Sequence, residues 1–211
     1  MTDMPTKQRL ILVTPSVTGG AFAEPLAEAC RTADVAAVLL RLAPMDERAG
    51  LDVLKTLVAA VQETGAAALL VDMPDMVGRS GADGVHATGI AAVEEAIDRF
   101  HPGKIVGAGG LVARDDAMRA GEIGADYVLF GDTGPSGRYA DLDGIVERTS
   151  WWAEIFAPPC AAMAHGPDAV VPLAATGAEF VGLEVWVWSM PDPLAAIRSA
   201  GALLAGATER P

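Results

Sequence analysis

A chain of 211 residues with 28 acidic against 15 basic side chains carries a formal net charge of −13. That balance excludes a nucleic-acid binder, which needs a basic stripe for the phosphate backbone, and argues against docking on anionic lipid. With 51% hydrophobic residues the chain can bury a sizeable core, and its length suits one large domain better than two small ones.

The opening MTDMPTKQR is polar and lacks the apolar stretch of a secretory leader. The first β-branched run, Leu10–Thr14, predicts a strand, and Val35–Arg41 and Ala67–Asp72 predict the next two. The apolar runs end at Arg41 and Asp72, far short of the ~20 residues that a membrane span needs. Between the second and third strands, Leu51, Leu54, Val58 and Val61 fall on one face of a helix. Further strands are expected at Gly84–His86, Lys104–Ala108, Tyr127–Gly131, Cys160–Ala164 and Phe180–Glu184. A helix carrying Ile90, Val93, Ile97 and Phe100 follows the fourth. Another, with Leu142, Ile145, Trp152 and Phe156, precedes the seventh. A last helix over about residues 191–207, opened by Pro191 or Pro193, carries Leu194, Ile197 and Leu204. The loop from Asp132 to Ala140, rich in Gly and Pro, is the one long irregular connection.

Eight apolar strands alternating with amphipathic helices predict a single-domain (β/α)8 TIM barrel spanning residues 1–211, with strands from about residue 9. A recurrent junction supports repeated βα units: Gly81-Ala82-Asp83, Gly124-Ala125-Asp126 and Gly177-Ala178-Glu179 each separate a helix end from a strand. No G-x-G-x-x-G follows the first strand, which weakens the dinucleotide-binding alternative. Cys30 and Cys160 have no metal-type spacing. Both are expected to pack as small hydrophobes in a reducing compartment, so a cytoplasmic location is expected.

In a barrel of this kind the chemistry sits at the C-terminal ends of the strands. Those ends carry Thr14, Arg41, Asp72, His86, the run Gly107 to Gly110, Gly131, His165 and Glu184. Arg41 is suited to holding a phosphate in two hydrogen bonds or to a salt bridge at the barrel mouth with Asp72 or Glu184. Asp72 suits Mg²⁺ or a helix cap, and His86 suits proton donation or a satisfied hydrogen-bond network. The glycines allow close approach of a ligand or a plain turn.

The segments LILVTP, VAAVLLR, LLVDMPDM followed by GADGVH, IVGAGG and GADYVLFG resemble the thiamine-phosphate synthase family, in order, from Leu10 to Gly131. The resemblance implies a transferase of thiamine biosynthesis that joins a hydroxymethylpyrimidine diphosphate to a thiazole phosphate, with Mg²⁺ assisting. It implies catalytic roles for Arg41, Asp72 and His86, metal binding at Asp72, and substrate contacts at Thr14, Gly107, Gly109, Gly131, Gly166 and Glu184. A small phosphorylated pyrimidine or thiazole is the implied partner; a homo-oligomer stays open.

The departures from the family pattern gather on diphosphate, metal and phosphate contacts. The stretch Ala87 to Ala91 carries no second metal-binding Asp, and Asp132 to Arg138 is shorter than the family's diphosphate loop. Ala164-His165-Gly166-Pro167 keeps one Gly of a Gly-Gly cradle, and Leu111 stands where a related tautomerase branch has a His. Glu184, Trp186 and Trp188 follow at period two, and are expected to share a face and to crowd the mouth if the strand continues that far. A catalytically silent barrel that binds a related phosphorylated ligand or a protein partner is therefore the alternative.

Overall fold

The computed structural model describes residues 7–132 and 140–208. Eight strands alternate with eight helices: β1 (Arg9–Val17), α1 (Ala23–Thr32), β2 (Val35–Leu42), α2 (Glu47–Gln62), β3 (Ala67–Val71), α3 (Pro74–Ser80), β4 (Gly84–Thr88) and α4 (Ile90–Phe100) come first. They are followed by β5 (Ile105–Gly109), α5 (Arg114–Glu122), β6 (Tyr127–Phe130), α6 (Leu142–Ile155), β7 (Cys160–Ala164), α7 (Val170–Ala174), β8 (Phe180–Leu183) and α8 (Pro193–Thr208). Each strand pairs in parallel with the next and β8 pairs with β1, so the expected closed barrel is the fold. None of the described helices is long and apolar enough to cross a membrane. The Gly- and Pro-rich loop of the sequence lies outside the described residues except for its ends.

Two hydrophobic layers explain why the strands read as unbroken apolar runs. Ile11, Val13, Leu39, Leu69, Tyr127, Leu129, Ala161 and Met163 point into the barrel. Their neighbours in sequence, such as Leu10, Leu12, Val38, Leu40, Leu70, Val106 and Val128, point outward under the helices. Both faces are buried, so the polar alternation of a half-exposed strand is absent. In the outer layer Trp152 is fully buried, stacks on Phe156 at 4.3 Å, and donates its indole N–H to the Pro158 carbonyl at 2.8 Å. Trp151 packs edge-on to it, with Arg114 over its ring at 4.6 Å. Cys30 and Cys160 are buried free thiols, the latter pushed up to about 12 mainly by burial, so both serve as packing groups.

The Gly-Ala-acid junction does more than end a helix. Gly81, Gly124 and Gly177 take φ of +80°, +97° and +87°, the left-handed conformation that a helix C-terminus favours in Gly. The acid that follows then reaches the strand before it. Asp83 accepts the Ala68 N–H, Asp126 the Val106 N–H, and Glu179 the Cys160 N–H, each at 2.8 Å. Each carboxylate thus starts one even-numbered strand while satisfying a donor at the start of the odd-numbered strand before it, tying β3 to β4, β5 to β6 and β7 to β8.

The structure departs from expectation at β8. The strand ends at Leu183, where its ladders with β7 and β1 also end (Ala164↔Leu183 and Leu12↔Leu183), and Val185–Ser189 winds into a 3-10 helix. Strand periodicity therefore does not apply to Glu184, Trp186 and Trp188. Trp186 donates its indole N–H to the Ala164 carbonyl at 2.7 Å and Trp188 donates to the Val13 carbonyl at 2.7 Å. The two rings cap carbonyls near the ends of the strands that flank β8 and pack with the outer layer, Trp188 edge-on to Phe22 at 5.1 Å.

The carboxylate ties carry a stability prediction. Asp126→Ala leaves the N–H of fully buried Val106 without its partner, and the expected cost is about 1–3 kcal/mol. A lowered midpoint of urea unfolding at unchanged slope is the expected readout; an unchanged midpoint contradicts the tie.

Candidate functional site

Thr14 sits at an interruption in β1. The register with β2 slips between Val13 and Ser16, around Pro15, which has no N–H to give the ladder. The buried Thr14 hydroxyl steps in as acceptor for the Arg41 N–H at 2.9 Å. Arg41, two residues past inward-facing Leu39, then projects over the open end of the barrel. Its guanidinium lies 3.4 Å from Glu184, so the arginine of β2 meets the residue after β8 across β1.

Asp72 follows β3 with φ +52°, the one non-Gly residue in the left-handed region among those described. Asp tolerates that conformation better than most residues, and here the turn is held by two hydrogen bonds to β4. The Asp72 N–H donates to the His86 carbonyl at 3.0 Å, and Asp72 Oδ1 accepts the Thr88 N–H at 2.8 Å. The carboxylate therefore does not cap α3, whose N-cap is Met73 without a side-chain bond.

His86 is buried in a chain of three side chains. Its Nδ1 lies 2.8 Å from the Tyr127 hydroxyl and its Nε2 lies 3.3 Å from Asp132 Oδ2. The carboxylate of Asp132 also accepts the Gly110 N–H with both oxygens, at 2.8 and 2.9 Å. A lone pair on Nε2 would face a carboxylate, so the favoured tautomer carries the proton on Nε2 and accepts from Tyr127 on Nδ1. Tyr127 stays a phenol, because burial first, then the Asp132 and Asp126 charges, push its pKa upward.

Gly107 and Gly109 make this chain fit. Both lie on the inward face of β5, between His86 of β4 and Tyr127 of β6. A Cβ on Gly107 would stand 2.2 Å from the Tyr127 ring; one on Gly109 would stand 2.1 Å from Asp132 Oδ2 and 2.4 Å from His86 Nε2. These glycines give room to protein side chains. Gly131, at φ +94°, faces Ile145, and its carbonyl accepts from His165 Nε2 at 2.6 Å. Gly166 is extended, with nothing near a Cβ position.

A cavity of about 290 Å³ opens at this end of the barrel, lined by Leu39, Arg41, Val71, Asp72, His86, Thr88, Asp132 and Met163. Arg41, Asp72 and His86 come together on its wall. Thr14, Gly107, Gly109, Gly131, Gly166 and Glu184 are not among its lining residues, and neither are Trp186 and Trp188. Sequence reasoning did not single out Asp132 or Tyr127, which stood in a loop and an apolar strand; the period-two glycines of β5 were the signal. No group of three or more His, Cys, Asp or Glu able to hold a metal occurs among the described residues. Mg²⁺ needs only one or two protein carboxylates beside substrate oxygens. Asp72, with one oxygen engaged by Thr88, fits that lesser demand.

A family model described as thiamine monophosphate synthase matches residues 10–183. The thiamine-phosphate synthase of Rhodospirillum centenum is 36% identical over 95% of this chain and 100% of its own length. That of Hyphomonas neptunium is 34% identical over 93% and 94%. Among solved structures, a thiamine phosphate pyrophosphorylase from Pyrococcus furiosus aligns with a TM-score of 0.77 at 22% identity, covering 97% of this chain and 99% of its own. A 3-hexulose-6-phosphate synthase from Salmonella typhimurium gives 0.72 at 17% identity, covering 95% and 100%. At such identities the two structures speak to fold alone.

The clearance at β5 is testable directly. Gly109→Ala should separate His86 from Asp132 and cost about 1–3 kcal/mol of stability, the usual range for overpacking. The expected signs are a lowered denaturation midpoint and loss of the slowly exchanging His86 ring N–H in proton NMR. A variant that keeps both contradicts the packing described.

Proposed function

The chain belongs to the thiamine monophosphate synthase family, and we propose that its barrel mouth carries out a synthase-type transfer at a reduced rate. In that transfer the bond between the pyrimidine methylene and the diphosphate oxygen breaks, and the diphosphate leaves with the electron pair. The thiazole nitrogen forms the new bond to the methylene, and the product is thiamine phosphate. The observation that carries this reading is the open cavity with Arg41 and Asp72 on one wall, unobstructed by Trp186 and Trp188.

Each residue then has a task that its position supports. Arg41 presents a guanidinium where negative charge develops on the leaving diphosphate. Asp72 would hold Mg²⁺, which when bound neutralises charge on the diphosphate oxygens. Leu39, Val71 and Met163 give the apolar wall on which a flat ring lies. His86, with both ring nitrogens engaged by Tyr127 and Asp132, serves as a positioning residue.

The reduced rate follows from the charges around the arginine. Glu184 stands 3.4 Å from Arg41 and competes with any incoming anion. Asp132 adds a second carboxylate to the cavity that Asp72 lines, and Pro167 has no N–H to offer a phosphate. The Arg41–Glu184 pair is also the observation that favours the second reading, a catalytically silent barrel for a related phosphorylated ligand or a protein partner.

The assay is thiamine phosphate formation from hydroxymethylpyrimidine diphosphate and thiazole phosphate with Mg²⁺. Turnover below about 1 s⁻¹, the low end of ordinary enzymes, is expected. Arg41→Ala should lower it by a further ~10²–10³-fold, the usual loss for one charge-stabilising donor. Folded protein that forms no product supports the silent barrel, and turnover well above that limit contradicts the reduced rate.

A further inference from the structure

We propose that the outer face of α7 and α8 is a contact surface for a second copy of this chain, joined as a two-fold dimer. This face is on the outside of the barrel and shares no residue with the lining of the mouth.

Charge is distributed unevenly around the barrel. Charged residues make up 20% of the chain, and from α2 to α6 they tie each helix to the next. Arg79 of α3 pairs with Glu47 of α2, and Arg99 of α4 pairs with Asp75 of α3 at 2.8 Å. Arg119 of α5 pairs with Glu94 of α4 at 3.0 Å, and Arg114 of α5 with Glu147 of α6 at 2.7 Å. The belt stops there. Residues 169–178, which include α7, hold no charged side chain, and the sixteen residues of α8 hold only Arg198. Among the described residues no ion pair involves either helix. What they show to solvent is apolar or small. Val171 and Leu203 are 48% and 44% exposed, and Ala175, Ser199, Ala202 and Gly206 are exposed with them. Apolar side chains left in water on helices without charge mark a face that something covers.

The turns of α8 show how that face is laid out. Ile197, Ala200 and Leu204 are buried against the barrel. Gly201 lies against Ala33, where a Cβ would stand 2.8 Å from that side chain, so this flank of α8 faces the end of α1. Arg198, three residues earlier, shares that flank. Leu203 lies about 140° round the helix from Arg198, on the flank toward α7. The centre of the face is therefore uncharged and its α8 edge carries a cation. On the other side of α7, α6 carries exposed Asp143, Glu147 and Glu154.

These features select a second copy over other partners. With a net charge of −13, the chain offers a basic partner acids elsewhere, and none on this face. Two acidic copies repel each other across most of their surfaces, and least across a face without acids. A two-fold axis along the face exchanges its edges, so Arg198 of each copy is set toward the acids of α6 in the other. Sixteen residues make α8 about 24 Å long. With α7 beside it at about 10 Å, the face covers roughly 500 Å² per copy. A total of about 1,000 Å² is the lower bound for a specific interface, so a dissociation constant on the order of 10 μM is expected.

Sedimentation equilibrium from about 1 to 200 μM brackets that constant. The wild type should pass from monomer to dimer over this range. It should do so more readily at higher salt, because screening relieves the repulsion between acidic copies. Leu203→Glu and Val171→Glu each place a carboxylate in the apolar centre and should weaken the dimer about 10- to 100-fold. Ile155→Glu serves as control. Ile155 is more exposed, at 62%, but follows Trp151 by one turn on the flank of α6 that Arg114 of α5 covers. That variant should dimerise as the wild type does, and melting temperatures check that all three are folded. A wild type that stays monomeric throughout overturns the proposal, and co-sedimentation of that monomer with phosphatidylcholine vesicles would assign the face to lipid. Dimers that survive both glutamates on the face, or that Ile155→Glu dissolves equally, overturn it as well.

Discussion

The inside of a closed eight-stranded barrel holds about twelve side chains in three layers, and every one of them must be supplied by some strand. A strand with glycine at inward positions leaves volume that its neighbours have to fill, because an unfilled core costs stability. In this chain β5 is such a strand: Ile105 packs inward at its start, but its inward positions toward the open end are Gly107 and Gly109. Tyr127 from one side and His86 from the other lean across it and meet at 2.8 Å. The bare face of β5 thereby turns a packing problem into a hydrogen-bonded chain that runs from the centre of the barrel to Asp132 at its mouth. A side chain at position 107 or 109 would remove the room for this chain, and with it the placement of the one carboxylate on that side of the cavity.

Much of this fold is written in local pattern. Eight apolar runs, helices of 3.6 period between them and the recurring Gly-Ala-acid junction suffice for a parallel barrel, and the strands lie where those runs lie. The acid of the junction was legible as a residue but not as a contact. Its partner is an N–H fifteen to twenty residues earlier, and nothing in the sequence marks which N–H the closing helix brings back to it. The same holds for the chain through His86. Tyr127 reads as one more aromatic in an apolar strand, and only the fixed spacing of β4, β5 and β6 joins it to residue 86. The end of β8 misled for a different reason. Alternation of Glu184, Trp186 and Trp188 has the period of a strand, but a strand lasts only as long as its ladder partners. Past Leu183 neither β7 nor β1 continues the ladder, and the tryptophans satisfy their indole N–H groups on nearby strand carbonyls instead.

Electrostatics at the mouth sets this chain apart from what its family resemblance implies. A site for diphosphate calls for donors and positive charge. The described lining offers one arginine, already facing Glu184, and two carboxylates. The Arg41–Glu184 pair is only partly solvated: the arginine side chain is 29% exposed and the glutamate 9%, so parting the two removes a countercharge from a buried carboxylate. An anion that binds the guanidinium in two places has to compete with that carboxylate.

The two sides of the cavity then divide the work by charge. On the β1–β2–β8 side, Thr14 holds the backbone of Arg41 at the strand interruption, and the guanidinium is the one group of the described lining suited to an anion. On the β4–β5–β6 side, Asp132 is fixed by Gly110 and His86 and accepts donors. Asp72 lies between them in its left-handed turn, tied to β4 by the Thr88 N–H. The separation of Arg41, on β2, from Asp132, just past β6, comes from the strand order of the barrel.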